Sequence, residues 1–168
     1  MLRMLKLSIA AAAGLVAAPA LAQNTATDST QGTATIAAPI AIAENSALAF
    51  GPVTKPSSGG STVTINSNDN CNRSVTGNAV LIAGSSGCAT YTVTGEAGQA
   101  FNIATDTSFT MTRSGGSETL TVTLNKSAST GTIGQASAAF KVGGSFPIDE
   151  NTIAGAYAGS FNVTVTYQ

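Results

Sequence analysis

The sequence contains no histidine and no tryptophan, and only seven Lys or Arg and eight Asp or Glu among its 168 residues. Without histidine there can be no Ser-His-Asp triad, no imidazole metal ligand and no imidazole acid-base chemistry. Without tryptophan, a sugar-stacking lectin surface would rest on tyrosines, and Tyr91 and Tyr157 share parity with Val93 and Phe161, which predicts core placement. The scarcity of Lys and Arg argues against nucleic acid as a partner. After the first residues, no segment approaches the roughly 20 apolar residues of a membrane helix, so no transmembrane segment is expected in the mature chain.

Other chemical signatures are incomplete. Gly84 to Gly87 lacks the lysine of a phosphate-binding loop and follows no strand-to-helix pattern, so it predicts a hairpin turn. Asn66, Asn68, Asp69 and Asn70 supply one carboxylate without calcium-loop spacing and predict an Asx-rich turn. Asp149 and Glu150 are adjacent, would point to opposite faces if extended, and predict a turn rather than a catalytic pair. The expectation is a non-enzymatic protein with no catalytic residue, no metal ligand and no cofactor.

What is present begins with Arg3 and Lys6, an apolar run from Leu7 to Ala18, and Ala20-Leu21-Ala22. A charged start, a short apolar stretch and an A-x-A site predict a cleaved secretory signal peptide over residues 1–22. Removing 22 residues from 168 leaves 146, one domain's worth, with five basic residues against eight acids and a net charge of −3. In an exported chain, Cys71 and Cys88, with 16 residues between them, predict a disulfide. Closing a loop of that size stabilises by about 3 kcal/mol. Residues 23–32 are polar and small and predict a flexible N-terminal arm, followed by one domain over 33–168.

Strand-like runs then follow one another: Thr33 to Ala43, Leu48 to Phe50, Thr62 to Asn66, Ala79 to Ala83, Ala89 to Glu96, and Ala100 to Ala104. Further runs are Phe109 to Arg113, Leu120 to Lys126, Ala138 to Val142, Ser145 to Ile148 and Tyr157 to Tyr167. Tyr91 and Val93 alternate with Thr90, Thr92 and Thr94, giving one buried and one wet face. Glycine clusters, Gly143-Gly144 among them, predict turns or bulges. Many short strands without helices predict an all-β antiparallel sandwich, with a barrel as competitor. A membrane barrel is disfavoured by the few aromatics and the final Gln168.

The last strand is the most informative. Tyr157, Phe161, Val163, Val165 and Tyr167 share one parity, Tyr167 is penultimate and Gly155 is fourteenth from the end. This ending resembles the C-terminal strand of chaperone-usher pilins. In them an immunoglobulin-like sandwich lacks one strand, and a periplasmic chaperone and then a neighbour's N-terminal arm fill the groove. The resemblance implies a groove strand of Gly155, Tyr157, Phe161, Val163, Val165 and Tyr167, with like subunits or a chaperone as partners through β-augmentation. Ala38-Pro39-Ile40-Ala41-Ile42, Leu48-Ala49-Phe50-Gly51, Thr90 to Gly98, Val142-Gly143-Gly144 and Gly155 to Tyr167 together resemble the bacterial domain of unknown function 4402, itself similar to spore-coat-U-type pilins.

One departure from the pilin pattern matters. Residues 23–32 offer only Ala26 as an apolar side chain, so alternation starts with Ala34, Ile36 and Ala38 and meets Pro39, which cannot donate to a ladder. Either Thr33 to Ala38 is the donated strand, or the domain completes its own sandwich. The first case implies a fimbria-like fibre subunit in the periplasm, at the surface or in an extracellular fibre of a Gram-negative bacterium. The second implies a self-complete, adhesin-like binding module.

Overall fold

The computed structural model describes residues 25–68 and 70–168, so the predicted signal peptide lies outside the described residues. The chain divides into a unit ending at Thr35 and a domain from Ile36 to Gln168. Residues 25–35 carry no regular secondary structure and are exposed.

The domain is an all-β antiparallel sandwich of eleven strands: β1 Ala41–Ser46, β2 Gly60–Ile65, β3 Arg73–Thr76, β4 Ala89–Thr94, β5 Ala100–Thr105 and β6 Ser108–Arg113, followed by β7 Thr119–Lys126, β8 Thr130–Thr132, β9 Ala138–Asp149, β10 Tyr157–Ala158 and β11 Val163–Tyr167. The larger sheet runs β1-β4-β9-β7-β6-β10, with β2 also on β9 and β3 on β2; the smaller runs β11-β5-β8.

β9 is the spine. Its twelve residues alternate so that Phe140, Val142, Phe146 and Ile148 are all buried. At ~1.5–3 kcal/mol for each large apolar side chain, this one strand contributes on the order of 6–12 kcal/mol of burial. Along one side it pairs first with β4, Ala138 opposite Val93 through Val142 opposite Ala89, and then with β2, Gly144 opposite Ile65 through Asp149 opposite Gly60. β7 lies on its other side.

Gly143-Gly144, expected to turn the chain, instead sits inside β9 at the handover from β4 to β2. The reason is close approach. A Cβ on Gly143 would collide with the Ile65 carbonyl oxygen and lie 2.8 Å from Asn125 Oδ1. The bare backbone lets Asn125 reach across β9 from β7, where its Oδ1 accepts from Ser67 N at 3.1 Å and its Nδ2 donates to Ile65 O at 3.4 Å.

Other expectations need correction. The first strand begins at Ala41 rather than Thr33, because Pro39 cannot enter a ladder. Ala79 to Ala83 and Leu48 to Phe50 form no strands; they meet only through isolated bridges, Val53 with Leu81 and Ala49 with Gly87, so Gly84 to Gly87 is a loop and not a hairpin turn. The long terminal strand is two, β10 and β11, in different sheets. A Cβ on Gly159 would strike the Thr110 carbonyl, and that glycine lets the chain pass close over β6 as it changes sheets. Asp106 fixes the crossing by accepting from Asn162 N at 2.8 Å.

The predicted disulfide joins Cys71 to Cys88, with Cα atoms 5.2 Å apart. It ties the loop after β2 to the start of β4. Cys88 is buried in the core.

Candidate functional site

The two sheets differ in length, and the difference leaves half the sandwich without a lid. At ~3.3 Å per residue β9 spans roughly 40 Å, whereas the three to six residues of β8, β11 and β5 span only about 10–20 Å. The smaller sheet therefore covers one end. There Phe101 and Ile103 of β5, with Val163 and Val165 of β11, pack on Tyr91, Val93, Phe140 and Val142. Tyr91 stacks on Phe140, ring centroids 5.2 Å apart, and burial raises its hydroxyl pKa.

At the other end Val63, Ile65, Met111, Val122, Phe146 and Ile148 form a second core with no strand of the smaller sheet among its members. Two irregular segments border it, and between them runs an apolar groove of about 550 Å³. Its floor includes Met111, Leu120, Phe146 and Ile148. Lys55 is the one charged residue lining it among the described residues.

The first wall, Leu48 to Lys55, is held from outside by Arg73. Its Nη1 donates to Phe50 O at 2.8 Å and Pro52 O at 3.3 Å, and its Nη2 to Ile82 O at 2.7 Å. Gly51 follows with φ of +68°, and its missing side chain is where a Cβ would overlap the Arg73 guanidinium. Phe50 turns inward, edge-on to Phe146 at 4.8 Å. The Phe50-Gly51 pair noted in the sequence thus has a structural role: one residue anchors the wall and the next bends it.

The second wall, Thr152 to Tyr157, starts from the predicted Asp149 turn. Asp149 Oδ1 accepts from Asn151 N at 3.0 Å and Thr152 Oγ1 at 2.9 Å, and the Thr152 hydroxyl foremost holds the carboxyl below its ordinary pKa. Tyr157 donates its hydroxyl to Ile153 O at 2.7 Å, and Gly155 lies where a side chain would meet the Arg113 stem. Arg113 is itself paired with Glu118 at 2.7 Å, which raises the guanidinium pKa and lowers that of the carboxyl. Lys55 Nζ donates to Glu150 O at 3.0 Å and ties the ends of the two walls together.

The residues singled out in the terminal strand are divided between the two ends. Gly155 and Tyr157 border the groove. Phe161, Val163, Val165 and Tyr167 pack against the other core. Of the arm residues, Ala34 is exposed, Ile36 is 93% exposed, and Ala38 is held by its backbone. Glu96 Oε2 accepts from Ala38 N at 3.1 Å, and Tyr167 donates its hydroxyl to Ala38 O at 2.8 Å while accepting from Glu96 N at 2.7 Å. Sequence reasoning missed Arg73, whose one signal is a lone cation in a stretch of small polar residues.

Among the described residues, no cluster of His, Cys, Asp or Glu is placed to hold a metal ion, and no helix is long and apolar enough to cross a membrane. The groove's chemistry is that of a trough for an extended apolar segment. The class is therefore an antiparallel β-sandwich domain with a groove over one uncovered half. The chain belongs to the family described as Domain of unknown function (DUF4402), whose model matches residues 40–167. No curated protein matches it.

Proposed function

We propose that this protein is a non-enzymatic, exported structural subunit of a pilus-like surface fibre, assembling by donation of a β-strand into the apolar groove. The single observation that carries the proposal is the second core, where a groove stands in place of a strand of the smaller sheet. An inserted strand would supply alternate side chains to an apolar floor and main-chain hydrogen bonds to the walls, which is how β-augmentation obtains affinity and specificity. The exposed Ile36, preceded by a segment with no pairing of its own, supports the same reading. Residues 1–22, as a signal peptide, would deliver the chain to the periplasm, where a chaperone or a like subunit would occupy the groove.

The test is size-exclusion chromatography with light scattering on residues 23–168, produced by export, with and without residues 23–38. Oligomers that vanish with the arm are the expected result. A stable monomer with its groove unfilled would overturn the fibre reading. It would favour an adhesin-like binding module, because the groove volume lies within the ~300–1,000 Å³ range of small-molecule sites. Pairing of β1 within its own sheet from Ala41 onward also fits that module.

A further inference from the structure

We infer that Thr33 to Ala38 cannot fill the groove of its own domain and instead enters the groove of a second copy, with Ile36 as its anchor. The inference rests on the fibre reading and specifies its partner. The arm is rooted at Ala38 by Tyr167 and Glu96. That root lies past the end of β4, beyond the level at which Val93 pairs with Ala138. The groove floor begins near Phe146, eight residues further along β9, a distance of roughly 26 Å at ~3.3 Å per residue.

Chain length then decides. Ile36 is two residues from Ala38 and Ala34 four, reaches of at most ~7 and ~14 Å for fully extended chain. Opening the Tyr167 clasp moves the root to Ala41, the first residue of β1, and extends the reach of Ile36 only to about 18 Å. Both fall short. Thr25 to Thr33 has the length to arrive, but its only apolar side chain is Ala26, which offers little to a floor of Met111, Leu120, Phe146 and Ile148. Ile36 is the one large hydrophobic residue in the arm, and it is 93% exposed.

Donor and acceptor surfaces are therefore different patches at opposite ends of the sandwich. Such an interface is heterologous and propagates head to tail, into an open fibre unless the rotation closes a ring. The arm also precedes residue 40, where the family match begins, so the donor segment lies outside the matched stretch.

The experiment is a full-chain variant, Ile36→Cys with Ala154→Cys, exported and mildly oxidised. Both positions are exposed, and Ala154 lines the groove wall. The expected result is a ladder of covalent multimers on a non-reducing gel, collapsing to monomer on reduction. Either single variant should give nothing larger than a dimer. A cross-link within one chain, seen as a faster monomer band, would overturn the second-copy assignment. No cross-link from a chain whose unmodified form oligomerises would refute the arm as donor while leaving the fibre reading intact. An unmodified chain that stays monomeric would remove both.

Discussion

Replacing Arg73 with methionine should loosen one wall of the groove without dissolving the sandwich. The guanidinium makes two short hydrogen bonds, to Phe50 O at 2.8 Å and Ile82 O at 2.7 Å, and a longer one to Pro52 O at 3.3 Å. Hydrogen bonds from a charged donor contribute ~1.5–3 kcal/mol each when protected. Arg73 is half-buried, so the two short bonds are better set at about 1 kcal/mol each and the long one lower. The expected loss is roughly 2–3 kcal/mol, and at about 3–5 °C per kcal/mol for a domain of this size Tm falls by roughly 6–15 °C.

The more discriminating assay is amide hydrogen exchange. Arg73 clamps the wall where Ala49 and Gly87 exchange two backbone bonds, Thr54 N donates to Val80 O, and Ile82 N donates to Pro52 O. Those four amides should lose protection in Arg73→Met while Val93 and Val142, in the covered half, keep theirs. Uniform loss across the domain would mean that Arg73 supports global folding only. Unchanged protection at Ala49, Thr54, Ile82 and Gly87 would refute the clamp.

Four further outcomes follow from the same contacts. Cys71→Ala with Cys88→Ala should cost about 3 kcal/mol, read as a lower midpoint in urea, because the bridge closes a loop of the size for which chain entropy gives that figure. Gly143→Ala should cost ~1–3 kcal/mol by thermal melting, since the added methyl displaces the Asn125 staple and presses on the Ile65 carbonyl. Tyr167→Phe keeps the ring but removes the bonds to Ala38 and Glu96, and should cost roughly 1–2 kcal/mol with early exchange of the Glu96 amide. Acid titration should show the Asp149 turn failing at low pH. Its folded-state pKa is depressed below the ordinary 3.8, so its stabilisation is complete above that value and is lost as pH falls through the lowered one. Asp149→Asn should flatten that part of the acid-unfolding curve.

Period-two alternation made much of the larger sheet legible from the sequence: Ala89 to Glu96, Ala100 to Ala104, Phe109 to Arg113 and Leu120 to Lys126 all coincide with strands to within two residues at each end. The disulfide was equally legible, since two cysteines in an exported chain leave one pairing. What alternation cannot carry is sheet membership. Tyr157 and Val163 share a parity and are both half-buried, yet they face different cores, because the chain changes sheets at Gly159 without changing phase. β3 and β8 were missed for a related reason: strands of four and three residues, with one large apolar side chain between them, are too short to show a period.

The groove itself was expected from the ending of the chain, and its position depends on something the ending does not encode. An uncovered half exists because β9 runs on past the smaller sheet, and β9 runs on because Gly143-Gly144 does not turn. Read as a turn, the pair divides β9 into two short strands that a small opposing sheet could cover. Read as a place where side chains are excluded, it yields one twelve-residue strand that passes from β4 to β2. The physical difference lies in the neighbours: neither glycine has a positive φ, while the Ile65 carbonyl and Asn125 occupy the space a side chain at 143 would need. A valine at position 143 would be the natural β-former by propensity, but it would force β2 and β7 apart and remove the alignment of Ile65, Val122 and Phe146 beneath the groove. On this reasoning Gly143→Val should lower groove occupancy by a fluorescent peptide of residues 33–38 as well as stability. Tight peptide binding in a folded Gly143→Val chain would show that the groove forms without the glycine.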